Sequence, residues 1–485
     1  MGICCPRGGC RGKSLTFRPE LADVGRLGRR LVRRTIAAAR ADESSVGKLL
    51  AAHLGQQGTT LPVASGSWPG YDQVNVQTAL DIWLAEPGRA HQLVGLTDYR
   101  HSDFGLADLL QDEGWGYGIG IGSVETQALP AGPDGETRQC VQCAIYLTTD
   151  PRGAAALLVR GEGGGVEVQV VCTSPGRAQR VIDEFRRLGL EHNVFRGHVV
   201  EFGSEVFGHR GGALLSFVAR PDVARDQVVL PPDLLDGIER QVVGVARHAS
   251  RLLASGQHLR RGVLLYGPPG TGKTHTVRYL LSRLQGVTAV LLSGGALGMI
   301  AEACSVARAL QPSVVVVEDV DLIAEDRGQH PGRHPLLFQL LNEMDGLGSD
   351  IDVTFLLTTN RADLLEQALA ARPGRVDHAA ELPVPDAAAR SRVLRLYQGR
   401  LKLSLSDAES VVTRTEGVTA SFIKELLRRA ALVAAEEDDD TADMTDVPIT
   451  VADSHLSMAL DQLLDTRSRL MASIASWQPR PGRNP

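Results

Sequence analysis

Val263-Leu264-Leu265-Tyr266-Gly267-Pro268-Pro269-Gly270-Thr271-Gly272-Lys273-Thr274 runs from a short apolar stretch into a glycine-rich octet, and from His275 to Leu284 the pattern turns helical. A strand, a loop and a helix in that order place a concave row of backbone N–H groups at a helix N-terminus, where unpaired donors and the helix dipole hold an anion. Only glycine lets the main chain wrap that tightly. Lys273 can then reach the β and γ phosphates of a nucleotide, and Thr274 can offer its hydroxyl to Mg2+. A flexible glycine turn is the bland alternative; the full match over Gly267, Pro268, Pro269, Gly270, Thr271, Gly272, Lys273 and Thr274, between a strand and a helix, argues against it. Lys273 stands out further because lysine otherwise occurs only at positions 13, 48, 402 and 424, and arginine makes up the rest of the 51 basic residues.

Working outward, Val314-Val315-Val316-Val317 reads as a second buried strand, and its C-terminal end carries Glu318-Asp319 and then Val320-Asp321. Carboxylates at that end of a parallel strand face the phosphates. By position Glu318 is expected in the metal shell and Asp319 at the attacking water. The acids stand in the reverse of the usual order, and Asp319 is one methylene shorter than glutamate, so slow turnover is expected rather than none. A third strand, Val353 to Leu357, ends in Thr358-Thr359-Asn360-Arg361, where Asn360 can orient the water or sense the γ phosphate. Farther on, Arg372-Pro373-Gly374-Arg375 sets two guanidinium groups in a surface turn. They can reach a neighbouring subunit's site and neutralise charge in its transition state; solvated surface arginines are the alternative.

The bulk composition is that of a folded protein: 485 residues, 43% hydrophobic and 22% charged, with a net charge of −6 that offers no global attraction to nucleic acid or anionic membrane. No basic-aromatic stripe is present, so a nucleic-acid partner is not expected. No run approaches the roughly 18 apolar residues of a membrane span, and a cytoplasmic location is expected. The cysteines, at 4, 5, 10, 140, 143, 172 and 304, do not form a secreted framework. Cys140-Val-Gln-Cys143 could begin a zinc site but lacks a second pair at matching spacing, so plain strand cysteines are the favoured reading. Pro6 stands where a myristoylation signal needs Ser or Thr. No histidine is followed by glutamate, which removes a His-Glu-x-x-His zinc protease pattern.

Five segments are expected. Residues 1–40 form a basic leader, disordered and then helical. Residues 41–225 form an α+β N-terminal domain, with strands at Cys143 to Leu147, Ala154 to Val159, Val166 to Cys172, Val199 to Phe202 and Ala213 to Val218, and a helix opened by Ser174-Pro175 and closed by Gly189. A linker from Arg220 to Pro232 leads to a helix capped by Asp233. Residues 226–385 alternate apolar strands with helices, the mark of a parallel sheet. Residues 386–472 are helical, with an acidic run at Glu436 to Asp440 that reads as a solvated loop, and 473–485 form a tail. The fold class is therefore α/β, a parallel sheet built around the phosphate loop, with a small α-helical lid subdomain and an α+β N-terminal domain.

These motifs resemble those of the AAA ATPases (AAA+ superfamily), the branch that holds proteasomal ATPases and membrane-anchored AAA proteases. The resemblance covers about residues 226–470 and rests on the glycine octet, the Walker B strand, Leu340-Leu341-Asn342-Glu343-Met344-Asp345-Gly346, Thr358-Thr359-Asn360-Arg361, Arg372-Pro373-Gly374-Arg375 and Gly417-Val418-Thr419-Ala420-Ser421. It implies ATP and Mg2+ as cofactors, Asn360 as sensor 1, Arg372 and Arg375 as arginine fingers, and a ring, commonly a hexamer. Some relatives share the Glu-Asp order, among them a mitochondrial translocase of the Rieske protein. The stretch from Ser293 to Pro312 is shorter than in protein-unfolding relatives and lacks an aromatic-hydrophobic-Gly pore loop, for which Met299-Ile300 could substitute. Two functions follow as expectations: an ATP-driven machine that remodels a protein partner bound by the N-terminal domain, or an ATP-gated switch or scaffold with slow turnover and no threading.

Overall fold

The computed structural model describes residues 46–55, 61–101, 104–111, 119–162, 164–204, 213–322, 335–346, 348, 351–363, 376–437 and 448–476. Arg372, Arg375, the leader with its three cysteines, most of the acidic run and the end of the tail lie outside them.

The first layer is an antiparallel sheet flanked by helices. Its elements are α1 (Val46–Leu54), β1 (Val63–Pro69), α2 (Gln73–Leu84), β2 (Ala90–Thr97), α3 (Leu106–Gln111), β3 (Gly120–Gly122), β4 (Glu125–Pro130), β5 (Thr137–Asp150), β6 (Gly153–Glu162), β7 (Gly165–Cys172) and α4 (Arg177–Glu191). The strand order is β1-β7-β6-β5-β2-β3, with β4 also on β5. Successive side chains of β5 point to opposite faces: Ala144 and Tyr146 pack with α2 and α4, and Cys143, Ile145 and Leu147 pack with α1 and α3. The same alternation separates Cys140 from Cys143, which enter different clusters. Burial pushes the Cys140 thiol up to about 11, and among the described residues no group of three His, Cys, Asp or Glu could hold a metal. Gly189 does not close α4 but lies inside it, facing Asn75 of α2.

The second sheet has the order β14-β10-β13-β12-β11-β8-β9. Its strands are β8 (Val199–Ser204), β9 (Ala213–Val218), β10 (Arg261–Tyr266), β11 (Thr288–Leu292), β12 (Ser313–Val317), β13 (Val353–Thr359) and β14 (His378–Glu381). β8 is parallel to β11, and β9 is antiparallel to β8. The sheet therefore begins at Val199, before the boundary expected at residue 226, because the β8–β9 hairpin leaves the first layer and extends the edge of β11. Its helices are α5 (Pro232–Glu239), α6 (Lys273–Arg283), α7 (Ile300–Ala309) and α8 (Pro335–Asp345). They cover both faces, which is why β12 is apolar throughout instead of alternating: Val314 and Val316 meet one cluster and Val315 and Val317 the other. Asp233 lies in the first turn of α5, while Pro231 takes the N-cap place and makes no side-chain cap bond. The segment expected as a linker is pinned at its start, where the Arg220 guanidinium donates to the carbonyls of Gly197, Leu281, Leu284 and Val287 at 2.8 to 3.0 Å.

The two sheets share a core. Val74 of α2 and Cys140 of β5 are buried in one cluster with Phe202, Val290 and Ile300. Tyr71 meets Phe202 edge to face at 5.7 Å, and Asn75 Oδ1 accepts the Val194 N–H at 2.9 Å. A third unit contains α9 (Ala387–Gln398), α10 (Ala420–Glu437) and α11 (Asp453–Ser476), with the short parallel pair β15 (Lys402–Ser404) and β16 (Thr450–Ala452). Asp386 caps α9 by accepting the Ala389 N–H at 2.7 Å.

Candidate nucleotide site

β10 delivers the chain into the glycine octet, and α6 begins at Lys273. Gly267 has φ 144° and Gly272 φ 102°, both in the region that favours glycine. At Gly267 a Cβ would also run into the Leu382 carbonyl, so the loop packs its main chain directly on the strand-end of β14. Lys273 is 7% exposed. Its ammonium donates to the carbonyls of Gly267 at 2.8 Å and Pro268 at 3.0 Å, so it lies across the mouth of its own loop. Burial lowers its pKa, opposed by the charges of Asp319 and Asp321.

The parallel sheet brings the ends of β12 and β13 beside this loop. Thr274, next to Lys273 at the start of α6, favours the charged form of the Glu318 carboxylate, which sets the two residues expected at the metal near one another. Burial raises the Glu318 carboxyl above the usual carboxylate range, with Asp319 and Glu201 adding to the rise, while Thr274 and Arg278 oppose it. Asp319 has φ 51°, a left-handed conformation that aspartate tolerates better than most residues. Two bonds to Thr358 hold it there: Asp319 N–H to Oγ1 at 3.0 Å and Val320 N–H to the carbonyl at 2.9 Å. Asn360 Nδ2 donates to Asp319 Oδ1 at 3.3 Å.

Asp321, passed over as a strand-end neighbour in the sequence, is an anchor. It is 8% exposed and accepts from Thr359 Oγ1 at 2.9 Å and from the Asn360 N–H at 3.2 Å, tying β13's tip to β12. A small cleft lined by Val228, Val229, Thr271, His275, Leu396 and Tyr397 opens between the loop and the third unit. The Ser421 N–H donates to the Gly270 carbonyl at 3.2 Å, so the lid touches the loop itself. Nothing in the local sequence marked Val228, Val229 or Tyr397, because the cleft forms only when distant segments meet.

The structure thus brings together Gly267 to Thr274, Glu318, Asp319 and Asn360. The segment 263–384 matches the model of the ATPase family associated with various cellular activities (AAA). The chain carries a AAA ATPase domain. It is 34% identical over 231 residues to the ATP-dependent zinc metalloprotease FtsH 2 of Symbiobacterium thermophilum, covering 44% of this chain and 39% of that protein. It is 34% identical over 215 residues to the ATPase family gene 2 protein homolog A of Homo sapiens, covering 41% of this chain and 24% of that protein. It is 32% identical over 212 residues to the ATP-dependent zinc metalloprotease FtsH of Thermus thermophilus, covering 41% and 34%. The chain spans between about a quarter and two fifths of these relatives' lengths. The AAA domain is flanked by the third unit and by the first layer, and among the described residues no helix is long and apolar enough to cross a membrane.

The segment from Ser293 to Pro312, which lacks an aromatic-hydrophobic-Gly pore loop and in which Met299-Ile300 could substitute for one, lies within the described residues. A 3-10 turn over Gly294–Met299 buries Ala296 and Leu297, and α7 follows at once. Ile300 is fully buried and Met299 packs against the same core. Ile300 is thus withdrawn from the surface while Met299 stays half-buried, and Gly294, Gly295 and Gly298 are the exposed residues of the turn.

Proposed function

We propose that this chain binds Mg-ATP in the loop from Gly267 to Thr274 and hydrolyses it as a subunit of a ring, commonly a hexamer, coupling the cycle to remodelling of a protein partner carried by the first layer. The observation that carries the reading is the convergence of Lys273, the Thr274–Glu318 pair and the Asp319–Asn360 pair on one edge of a parallel sheet. Lys273 would leave its two loop carbonyls for the phosphates. Thr274 and Glu318 would hold Mg2+, which supplies charge neutralisation at the β and γ oxygens. Asp319 would accept a proton from the attacking water while Asn360 fixes its carboxylate. Arg372 and Arg375 would act on a neighbouring subunit's nucleotide. The resemblance supports those two roles.

The inward packing of Ile300 favours a second reading, an ATP-gated switch or scaffold with no threading. Steady-state phosphate release from the purified chain separates the two. A severalfold rise with an unfolded polypeptide supports remodelling; slow turnover indifferent to polypeptide supports the switch. A chain that stays monomeric and retains no adenine nucleotide with Mg2+ present would end both readings.

A further inference from the structure

β8 lies outside the matched AAA segment, yet it flanks β11, with Val199, Val200 and Glu201 in register with Ala289, Val290 and Leu291. The strands are parallel, so their C-terminal ends reach the same edge of the sheet as the phosphate loop and the Glu318–Asp319 pair. A carboxylate on an outlying strand is ordinarily solvated; Glu201 is half-buried and accepts a hydrogen bond from Ser293 Oγ at 2.9 Å. Ser293 directly follows Leu292, whose carbonyl accepts the Glu318 N–H at 3.1 Å. The next residue along β8, Phe202, is the one that meets Tyr71 of the first layer. One short path therefore joins the first layer to the main chain beneath the catalytic acids: Tyr71, Phe202, Glu201, Ser293, Leu292, Glu318.

We infer that Glu201 is a positioning residue for ATP hydrolysis: by holding Ser293 at the end of β11 it fixes the main chain that carries Glu318 and Asp319, and links the setting of the first layer to the turnover rate. The inference rests on the ATPase reading above. Glu201 acts through its acceptor oxygen and the strand, without touching the nucleotide. A partner that shifts the first layer would move β8 and retune hydrolysis without reaching the nucleotide cleft.

The test uses the full chain with Glu201→Ala, Ser293→Ala, the double variant and Glu201→Gln, which keeps an acceptor oxygen. Glu201→Ala and Ser293→Ala should each lower kcat by about 10- to 100-fold, the scale set by small misplacements at a reacting centre. Affinity for a fluorescent ATP analogue, read directly, should move by less than about twofold. The double variant should be no slower than Ser293→Ala alone, since one bond is lost in all three, and Glu201→Gln should recover most of the rate. The inference is overturned if Glu201→Ala keeps kcat within about twofold, if the two losses multiply, if nucleotide binding weakens as much as kcat falls, or if Glu201→Gln is as slow as Glu201→Ala. A wild-type chain that releases no phosphate would instead sink the ATPase reading, and this inference with it.

Discussion

Asn360 on the tip of β13 donates its side-chain amide to Asp319, the residue at the end of β12 whose backbone is held left-handed. The bond spans two neighbouring strands and aims the shorter acid, so neither residue is expected to work alone. Asp319→Asn should keep ATP bound, drop turnover by about 10²-fold or more, and trap the ATP-bound assembly. Sizing with ATP and single-turnover phosphate release check this. Asn360→Ala should lose rate too, and the pair should lose less than the product of the singles.

Lys273→Ala removes the ammonium that lies across the loop while leaving the loop's N–H groups in place. Nucleotide binding or turnover should fall by about 10²-fold or more, as for loss of one preorganised charge at a reacting phosphate. Equilibrium binding of a fluorescent nucleotide and steady-state phosphate release give the two numbers. Unchanged turnover in the purified variant would mean the phosphates lie elsewhere.

Arg375→Ala and Lys273→Ala should be separately inactive and partly active when mixed, because a subunit with an intact loop can then face one with an intact arginine. Titrating one variant into the other and following phosphate release tests the shared site. Mixtures as inactive as either parent would leave Arg375 a surface residue.

In the first layer Asp150 is bonded by two buried guanidinium groups, those of Arg89 and Arg177. Burial alone would raise the Asp150 carboxyl; the Arg152 N–H together with Arg177 and Arg89 overcomes that and holds it below the usual carboxylate range. A depressed native value means that this contribution to stability is fully present above about pH 4 and is lost as pH falls through the native value. Asp150→Asn should cost about 3 to 5 kcal/mol at neutral pH by leaving buried Arg177 without its carboxylate, while Arg89 keeps Glu86, and should flatten the acid side of the stability profile. Denaturant melts of both proteins across the acid range measure each effect.

The glycine octet's place between a strand and a helix was legible because the signal is local: eight consecutive residues fix the turn. Glu318, Asp319 and Asn360 were legible because each closes an apolar strand, and strand ends in a parallel sheet share an edge. Glu201 was not legible. Its partner Ser293 is far away in sequence, and Val199 to Phe202 reads as one more short strand of whatever precedes it. Ile300 was hard to read for a related reason: an apolar residue after a run of glycines looks exposed until the 3-10 turn is seen to bury it. The Arg220 segment looked like a linker on composition, since the sequence carries no sign of the four carbonyls that hold the guanidinium.

The hairpin of β8 and β9 has a consequence for how such a chain can be cut or recombined. A truncation at the apparent border near residue 226 would strip the ATPase domain of two strands, bare the hydrogen-bonding edge of Thr288–Leu292, and remove Phe202 from the cluster that buries Val290 and Ile300. Exposed strand edges of that kind recruit one another and precipitate. Grafting a foreign domain onto this ATPase domain, in the laboratory or by gene fusion, therefore has to keep Val199 to Val218 with the ATPase domain, so that the seam falls before Val199.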